Sequence, residues 1–202
     1  MGYISIVDYG VGNLKSIANA LAYLGFQTKV ASEASELEHS DAIILPGVGA
    51  FPDAAKKLRA TALDQTITAQ VGKKPILGIC LGMQLLFDWG EEGEHCKGLG
   101  LVSGSIQRIH TNLKLPHIGW NTLRFPRPDP LFHGLEEGCT VYFVHSFAAQ
   151  VARSEDLLAT TDYGAAVTAA VGRGALYGCQ FHPEKSGEVG LTILKNFGEM
   201  NR

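Results

Sequence analysis

Short apolar runs alternate with segments of helical period through the first half of the chain. Residues 3–7, 42–45 and 75–79 are nearly continuous apolar runs, the pattern of strands covered on both faces of a parallel sheet. Residues 27–31 supply a further strand. Leu14, Ile17, Ala18, Leu21 and Leu24 recur at helical spacing, with Gly25 placed to follow the helix end. Residues 32–40 read as a short polar helix. Pro52-Asp53 opens a helix to residue 60, and Thr61-Ala62 opens another to residue 71. This βαβ spacing predicts a parallel sheet with helices on both faces.

After residue 90 the pattern changes. Residues 90–104, rich in Gly and Glu, read as an exposed loop. Strands are expected at 106–109, 118–125, 140–148, 157–161, 167–171 and 175–180, the last two joined by Gly172-Arg173-Gly174. Residues 125–138 read as an excursion. A closing helix from Ser186 carries Leu191, Leu194 and Phe197 on one face. The expected fold is α/β: a three-layer sandwich whose central, mostly parallel sheet is flanked by helices, with antiparallel strands added by the second half. Without an evident linker or repeat, residues 1–202 read as a single domain.

Composition narrows the function. Hydrophobic residues make up 46% of the chain and charged residues 18%, a globular balance. A net charge of −3 without a basic block argues against nucleic-acid binding. No apolar run approaches the ~20 residues of a membrane span. The N-terminus reads as a strand, better than as a signal peptide or as a myristoylation site at Met1-Gly2. Cys80, Cys96, Cys139 and Cys179 form no CxxC, which indicates neither zinc nor a disulfide framework and suits a reducing cytoplasm. Gly10-x-Gly12 starts a dinucleotide fingerprint, but the third glycine is missing.

The candidate chemistry centres on Gly78-Ile79-Cys80-Leu81-Gly82. This is the Gly-x-nucleophile-x-Gly pattern of a nucleophile elbow, with Cys in the place of Ser. The glycines permit a sharp strand-to-helix turn, which lifts the Cys80 sulfur out at a strand's carboxyl end. The helix N-terminus behind it favours thiolate. The plain alternative is a core cysteine. In Gln180-Phe181-His182-Pro183-Glu184-Lys185-Ser186, an extended chain puts His182 and Glu184 on one side. Glu184 would then orient His182, and His182 would serve Cys80 as base and then as acid. The plain alternative here is an exposed loop. Oxyanion donors are expected from the Leu81 N–H and from Gly47-Val48-Gly49, which otherwise reads as turn punctuation.

These residues resemble the class I (triad) glutamine amidotransferases across the whole chain. Within that group the chain is similar to the glutaminase subunits of imidazole glycerol phosphate synthase. Five segments carry this likeness: Asp8-Tyr9-Gly10-Val11-Gly12-Asn13-Leu14, Leu45-Pro46-Gly47-Val48-Gly49-Ala50-Phe51, His117-Ile118-Gly119-Trp120-Asn121, Tyr142-Phe143-Val144-His145-Ser146, and the His182 segment. Phe147 stands where the family often has Tyr, and Ser103 where Pro is common.

The resemblance implies that Cys80 attacks the amide carbon of L-glutamine. The oxyanion is then held by Leu81 and by Val48 or Gly49, and His182 protonates the departing ammonia. Water cleaves the thioester. Gln84 and the backbone of His145, Ser146 and Phe147 would orient the glutamine. No metal or organic cofactor is needed. The implied partner is a (β/α)8-barrel cyclase subunit in a heterodimer, which uses the ammonia to make imidazole glycerol phosphate and an aminoimidazole carboxamide ribonucleotide for histidine biosynthesis. Asn13, Trp120, Asn121, Tyr142 and Lys185 are the candidate partner face, with core packing the alternative for Trp120. Activity is expected to be low without the liganded partner. The rivals are a glutaminase of another synthase and a non-catalytic binding module of the same fold.

Overall fold

The computed structural model describes residues 2–200; Met1, on which the N-terminal reading partly rests, and Asn201 and Arg202 lie outside the described residues. In chain order the first half holds β1 (Ile4–Val7), α1 (Leu14–Tyr23), β2 (Thr28–Ala31), α2 (Ala34–Glu38), β3 (Ala42–Leu45), α3 (Phe51–Ala60), α4 (Leu63–Gln70), β4 (Ile76–Ile79) and α5 (Leu81–Leu85). There follow β5 (Phe87–Gly90), β6 (Cys96–Lys97), β7 (Val102–Arg108), β8 (His117–Thr122), β9 (Thr140–His145) and β10 (Phe147–Val151). The chain continues through β11 (Leu157–Asp162), β12 (Ala166–Arg173), β13 (Leu176–Cys179) and α6 (Gly187–Glu199).

The central sheet has seven strands in the order β11-β12-β13-β4-β3-β1-β2. From β2 to β13 all neighbours are parallel, and β12 and β11 add antiparallel pairs at one edge. Alternate side chains of each strand face opposite layers. Ile4, Ile6, Ile44 and Leu77 pack with Ile17 and Leu21 of α1 and with Ile193, Leu194 and Phe197 of α6. Val7, Ile43, Leu45 and Ile76 pack with Leu37, Leu58, Leu63 and Ile67 on the other side. Each such burial stabilises the fold by roughly 1.5–3 kcal/mol. The three-layer expectation therefore holds, for the reason the apolar runs suggested.

The second half differs in three respects. Residues 90–104 are not simply a loop: β6 lies inside the segment, β5 ends in it and β7 begins in it. With β10 they form a second sheet, ordered β10-β7-β5-β6. Phe87, Val102 and Ile106 turn one apolar face of that sheet toward α3 and α5, and a one-sided strand broken by glycine leaves little periodic signal. The strand expected over 140–148 breaks at Ser146, so β9 pairs with β8 while β10 pairs with β7. Finally, β12 runs on to Arg173, and the hairpin turns at Gly174 and Ala175.

Two facts of this topology place the site. β13 lies beside β4 with Cys179 opposite Ile79, and the Cys80 N–H donates to the Cys179 carbonyl at 2.7 Å. Residues after Cys179 therefore emerge next to Cys80. The turn into α5 is also tightly packed. A Cβ on Gly78 would stand 2.7 Å from the Gly82 carbonyl oxygen, and one on Gly82 would fall on the Leu45 carbonyl. We expect Gly82→Ala to lower stability by about 2 kcal/mol or more, since backbone on both sides must shift. Gly93→Ala, in open space but at φ +77°, should cost about 1 kcal/mol. Denaturant midpoints of the two variants check this order.

Candidate active site

Cys80 sits between β4 and α5 with φ 55° and ψ −112°. A non-glycine residue held there stores roughly 1–3 kcal/mol of strain and persists only where its surroundings over-determine it. The packed glycines and the bond to Cys179 provide that constraint. α5 is only five residues long, so its influence on the sulfur comes from its first-turn N–H groups rather than from a long dipole.

His182 follows β13, and Glu184 lies two residues on, in a short 3-10 turn instead of the extended chain expected. His182 Nδ1 meets Glu184 Oε1 at 2.9 Å, and both side chains are buried. The Ser186 hydroxyl donates to the His182 carbonyl and accepts the Tyr142 N–H, which fixes the turn. Asn13 donates to the same Glu184 oxygen at 3.3 Å. Burial opposes charge on the His182 imidazole, but the neighbouring Cys80 sulfur and the Glu184 carboxylate outweigh it and raise its pKa to about 9. His182 Nε2 is buried and has no hydrogen-bond partner among the described residues.

A cavity of about 400 Å³ gathers Cys80, Leu81, Val48, Gly49, Gln84, His145, Ser146, Phe147, His182 and Lys185. Hollows of about 800 Å³ and 640 Å³ lie elsewhere, beside Phe132 and Asn196 and beside His110 and Leu113, but neither is lined by a cysteine. The oxyanion expectation meets a suitable layout. Gly49 adopts φ +97°, Val48 is 42% exposed, and the N–H groups of both lack a protein acceptor among the described residues. The Leu81 N–H opens α5, where first-turn donors have no acceptor inside the helix.

A buried polar chain lines the opposite wall. The Phe147 carbonyl accepts from His145 Nδ1 at 2.8 Å and from Gln84 Nε2 at 3.1 Å. His145 Nε2 therefore accepts from His117 Nδ1 at 3.1 Å, and His117 Nε2 accepts from Asn121 at 3.2 Å. Burial pushes the pKa of both histidines down to about 4, so both are neutral. Of the candidate partner residues, Lys185 is exposed at the cavity and Trp120 is 58% exposed, edge-on to Tyr142. Asn13 and Asn121 are instead engaged with Glu184 and His117.

The sequence reading missed Gln180, which is fully buried and donates toward Cys80 Sγ at 3.8 Å. It also missed Glu92, a cavity-lining carboxylate that accepts the Phe51 N–H. Only the run Gln180-Phe181-His182 pointed toward the first; the second lay in the presumed loop. Among the described residues no cluster of three or more His, Cys, Asp or Glu side chains could hold a metal ion. No described helix is long and apolar enough to cross a membrane.

A family model for class-I glutamine amidotransferases matches residues 5–200. The imidazole glycerol phosphate synthase subunit HisH of Oceanobacillus iheyensis is 49% identical over 200 residues, covering 98% of this chain and 100% of the relative. The subunit of the same name from Caldanaerobacter subterraneus is 46% identical over 198 residues, covering 98% of each chain. Among solved structures, PurLQS from Thermotoga maritima matches with a TM-score of 0.79 at 20% identity, covering all of this chain and 99% of the other, a likeness of fold alone.

His182 should titrate by NMR near pH 9, and its midpoint should fall in Cys80→Ala, which removes one of the two groups that raise it. A raised folded pKa stabilises the fold fully below the unfolded value near 6.5. That contribution should fade as pH climbs through about 9. A wild-type midpoint near 6.5 would contradict the arrangement.

Proposed function

Because the chain belongs to the class-I glutamine amidotransferases, and within them to the glutaminase subunits of imidazole glycerol phosphate synthase, we propose that Cys80, His182 and Glu184 hydrolyse glutamine in the cavity described above. The chain serves histidine biosynthesis and works as one amidotransferase domain. The observation that carries the residue assignment is convergence: a strained elbow cysteine and a buried His–Glu pair share one cavity with unpaired backbone donors.

The steps follow from the layout. The Cys80 proton passes to His182 Nε2, where Glu184 supports the resulting charge. Sulfur attacks the side-chain amide carbon, forming the C–S bond, and the oxyanion takes N–H donors from Leu81 and the Val48–Gly49 segment. One such donor is worth about 2.7–4 kcal/mol in the transition state. His182 returns its proton to the departing nitrogen, the C–N bond breaks and ammonia leaves. Water, its proton taken by His182, then attacks the thioester, glutamate departs as the C–S bond breaks, and the His182 proton returns to the Cys80 sulfur. Gln84 has given both amide hydrogens to protein acceptors, so its oxygen remains for the substrate. The Glu92 carboxylate suits the α-ammonium of a free amino acid.

Ammonia needs a consumer, and a cyclase subunit with a (β/α)8 barrel, forming a heterodimer in the cytoplasm, is the partner that fits. Ile118 and Trp120, each 58% exposed, share one face of the β8–β9 ribbon with Tyr142 and Val144, an apolar patch beside the cavity. Val48, half exposed at the same mouth, gives the partner direct access to the oxyanion segment. Glutamate release should therefore be slow alone and rise when the liganded cyclase binds. Cys80→Ala should lose at least about 10³-fold under every condition, and Glu184→Gln about 10²–10⁴-fold. Full turnover in Cys80→Ala would defeat this mechanism, and turnover indifferent to this cyclase would indicate another synthase.

A further inference from the structure

The orientation of two buried amides is determined by one main-chain carbonyl. The Phe147 carbonyl can only accept, so the Gln84 side chain must present its NH2 group there, at 3.1 Å. The second hydrogen of that NH2 group reaches Gln180 Oε1 at 2.9 Å. The Gln180 oxygen is thereby fixed toward Gln84, and its NH2 group is left facing Cys80 Sγ at 3.8 Å. Gln180 is fully buried, and its main-chain N–H is held by the Ala169 carbonyl, so the side chain has no solvent alternative.

We propose that Gln180 is a catalytic residue: its side-chain N–H, aimed by the Phe147–Gln84–Gln180 chain, holds the Cys80 sulfur and stabilises it as thiolate. The assignment rests on Cys80 being the nucleophile. A sulfur lone pair accepts a hydrogen bond weakly as thiol and strongly as thiolate, because bonds to a charged partner are about twice as strong. The N–H therefore favours the state formed when the thiol proton moves to His182 Nε2. It also steers the sulfur while the adjacent C–S bond forms and breaks. Gln84 acquires a second duty in this account, since its amide orients Gln180 as well as lining the substrate cavity. The other titratable groups around the sulfur are His182, backed by Glu184, and Tyr9, whose buried hydroxyl donates to the Pro46 carbonyl. His145, Glu92 and Lys185 line the same cavity.

The test is the pH dependence of Cys80 alkylation by iodoacetamide, a displacement that uses thiolate but needs no oxyanion site, read beside glutamine turnover with the liganded cyclase. Gln180→Met removes the donor at similar length. Its alkylation midpoint should rise by about one pH unit, and kcat should fall about tenfold more than KM changes. Gln180→Glu keeps the acceptor for Gln84 but puts a carboxylate beside sulfur, and should raise the midpoint further. A merely structural role predicts lower melting temperatures, with the folded fraction alkylated at the wild-type midpoint; that result would overturn the proposal. Should neither variant fold, the wild-type chain still decides. The Gln180 side-chain amide NMR signals should move as Cys80 ionises, and signals that stay fixed through the titration would refute it. Failure of the underlying reading looks different: wild-type chain that turns over no glutamine, or Cys80→Ala that still does, removes the nucleophile itself.

Discussion

Cys80 has a side chain where the backbone would prefer none. At φ 55° the residue stores strain, and three contacts keep it there: the close approach of Gly78 to the Gly82 backbone, that of Gly82 to Leu45, and the bond from the Cys80 N–H to Cys179. The same contacts give the site its geometry. Because Gly82 packs on Leu45, the segment leaving β3 lies against the elbow and brings Val48 and Gly49 to the sulfur. Because Cys80 is bonded to Cys179, the chain leaving β13 brings Gln180 and His182 to its other side.

Three strand ends and one sheet break thus converge on one cavity. The break at Ser146 directs His145 and Phe147 into different sheets, which leaves the Phe147 carbonyl free of a ladder role on that side and able to accept from His145 and Gln84. From that acceptor the polarity of the buried wall follows in both directions: neutral, Nδ1-protonated imidazoles toward Asn121 and the outer ribbon, and donated amide N–H groups toward Cys80. Orphaned polar atoms in such a wall would be costly, and the chain of donors leaves few. Across the cavity, Glu184 Oε2 and His182 Nε2 are buried without a partner among the described residues, the latter at the place where a proton must arrive and depart.

Much of this is legible in the sequence alone. Apolar runs identified β1, β3 and β4 because each is buried on both faces, and the spacing of Ile17 and Leu21 identified α1. The elbow was legible because its constraint is local: two glycines flank one cysteine. The second sheet was not, because β5 is four residues long and ends at Gly90, and β7 is only partly buried and interrupted by Gly104. Gln180 was not, because its direction depends on β13 lying beside β4, a contact spanning 100 residues. Asn13 and Asn121 read as candidates for the partner face; the side chains they engage, Glu184 and His117, lie 171 and 4 residues away. A single glycine-bearing segment thus tells more about chemistry than about the long-range neighbours that tune it.

The central claim is that the sulfur of Cys80 is the attacking atom in a glutamine site. The most direct measurement is intact-mass and peptide mapping after exposure to a glutamine-analogue electrophile, such as a γ-diazoketone, with the liganded cyclase present. The account predicts a single adduct on Cys80 that excess glutamine prevents. An adduct on Cys96, Cys139 or Cys179 that glutamine does not prevent, or no adduct at all, would contradict it.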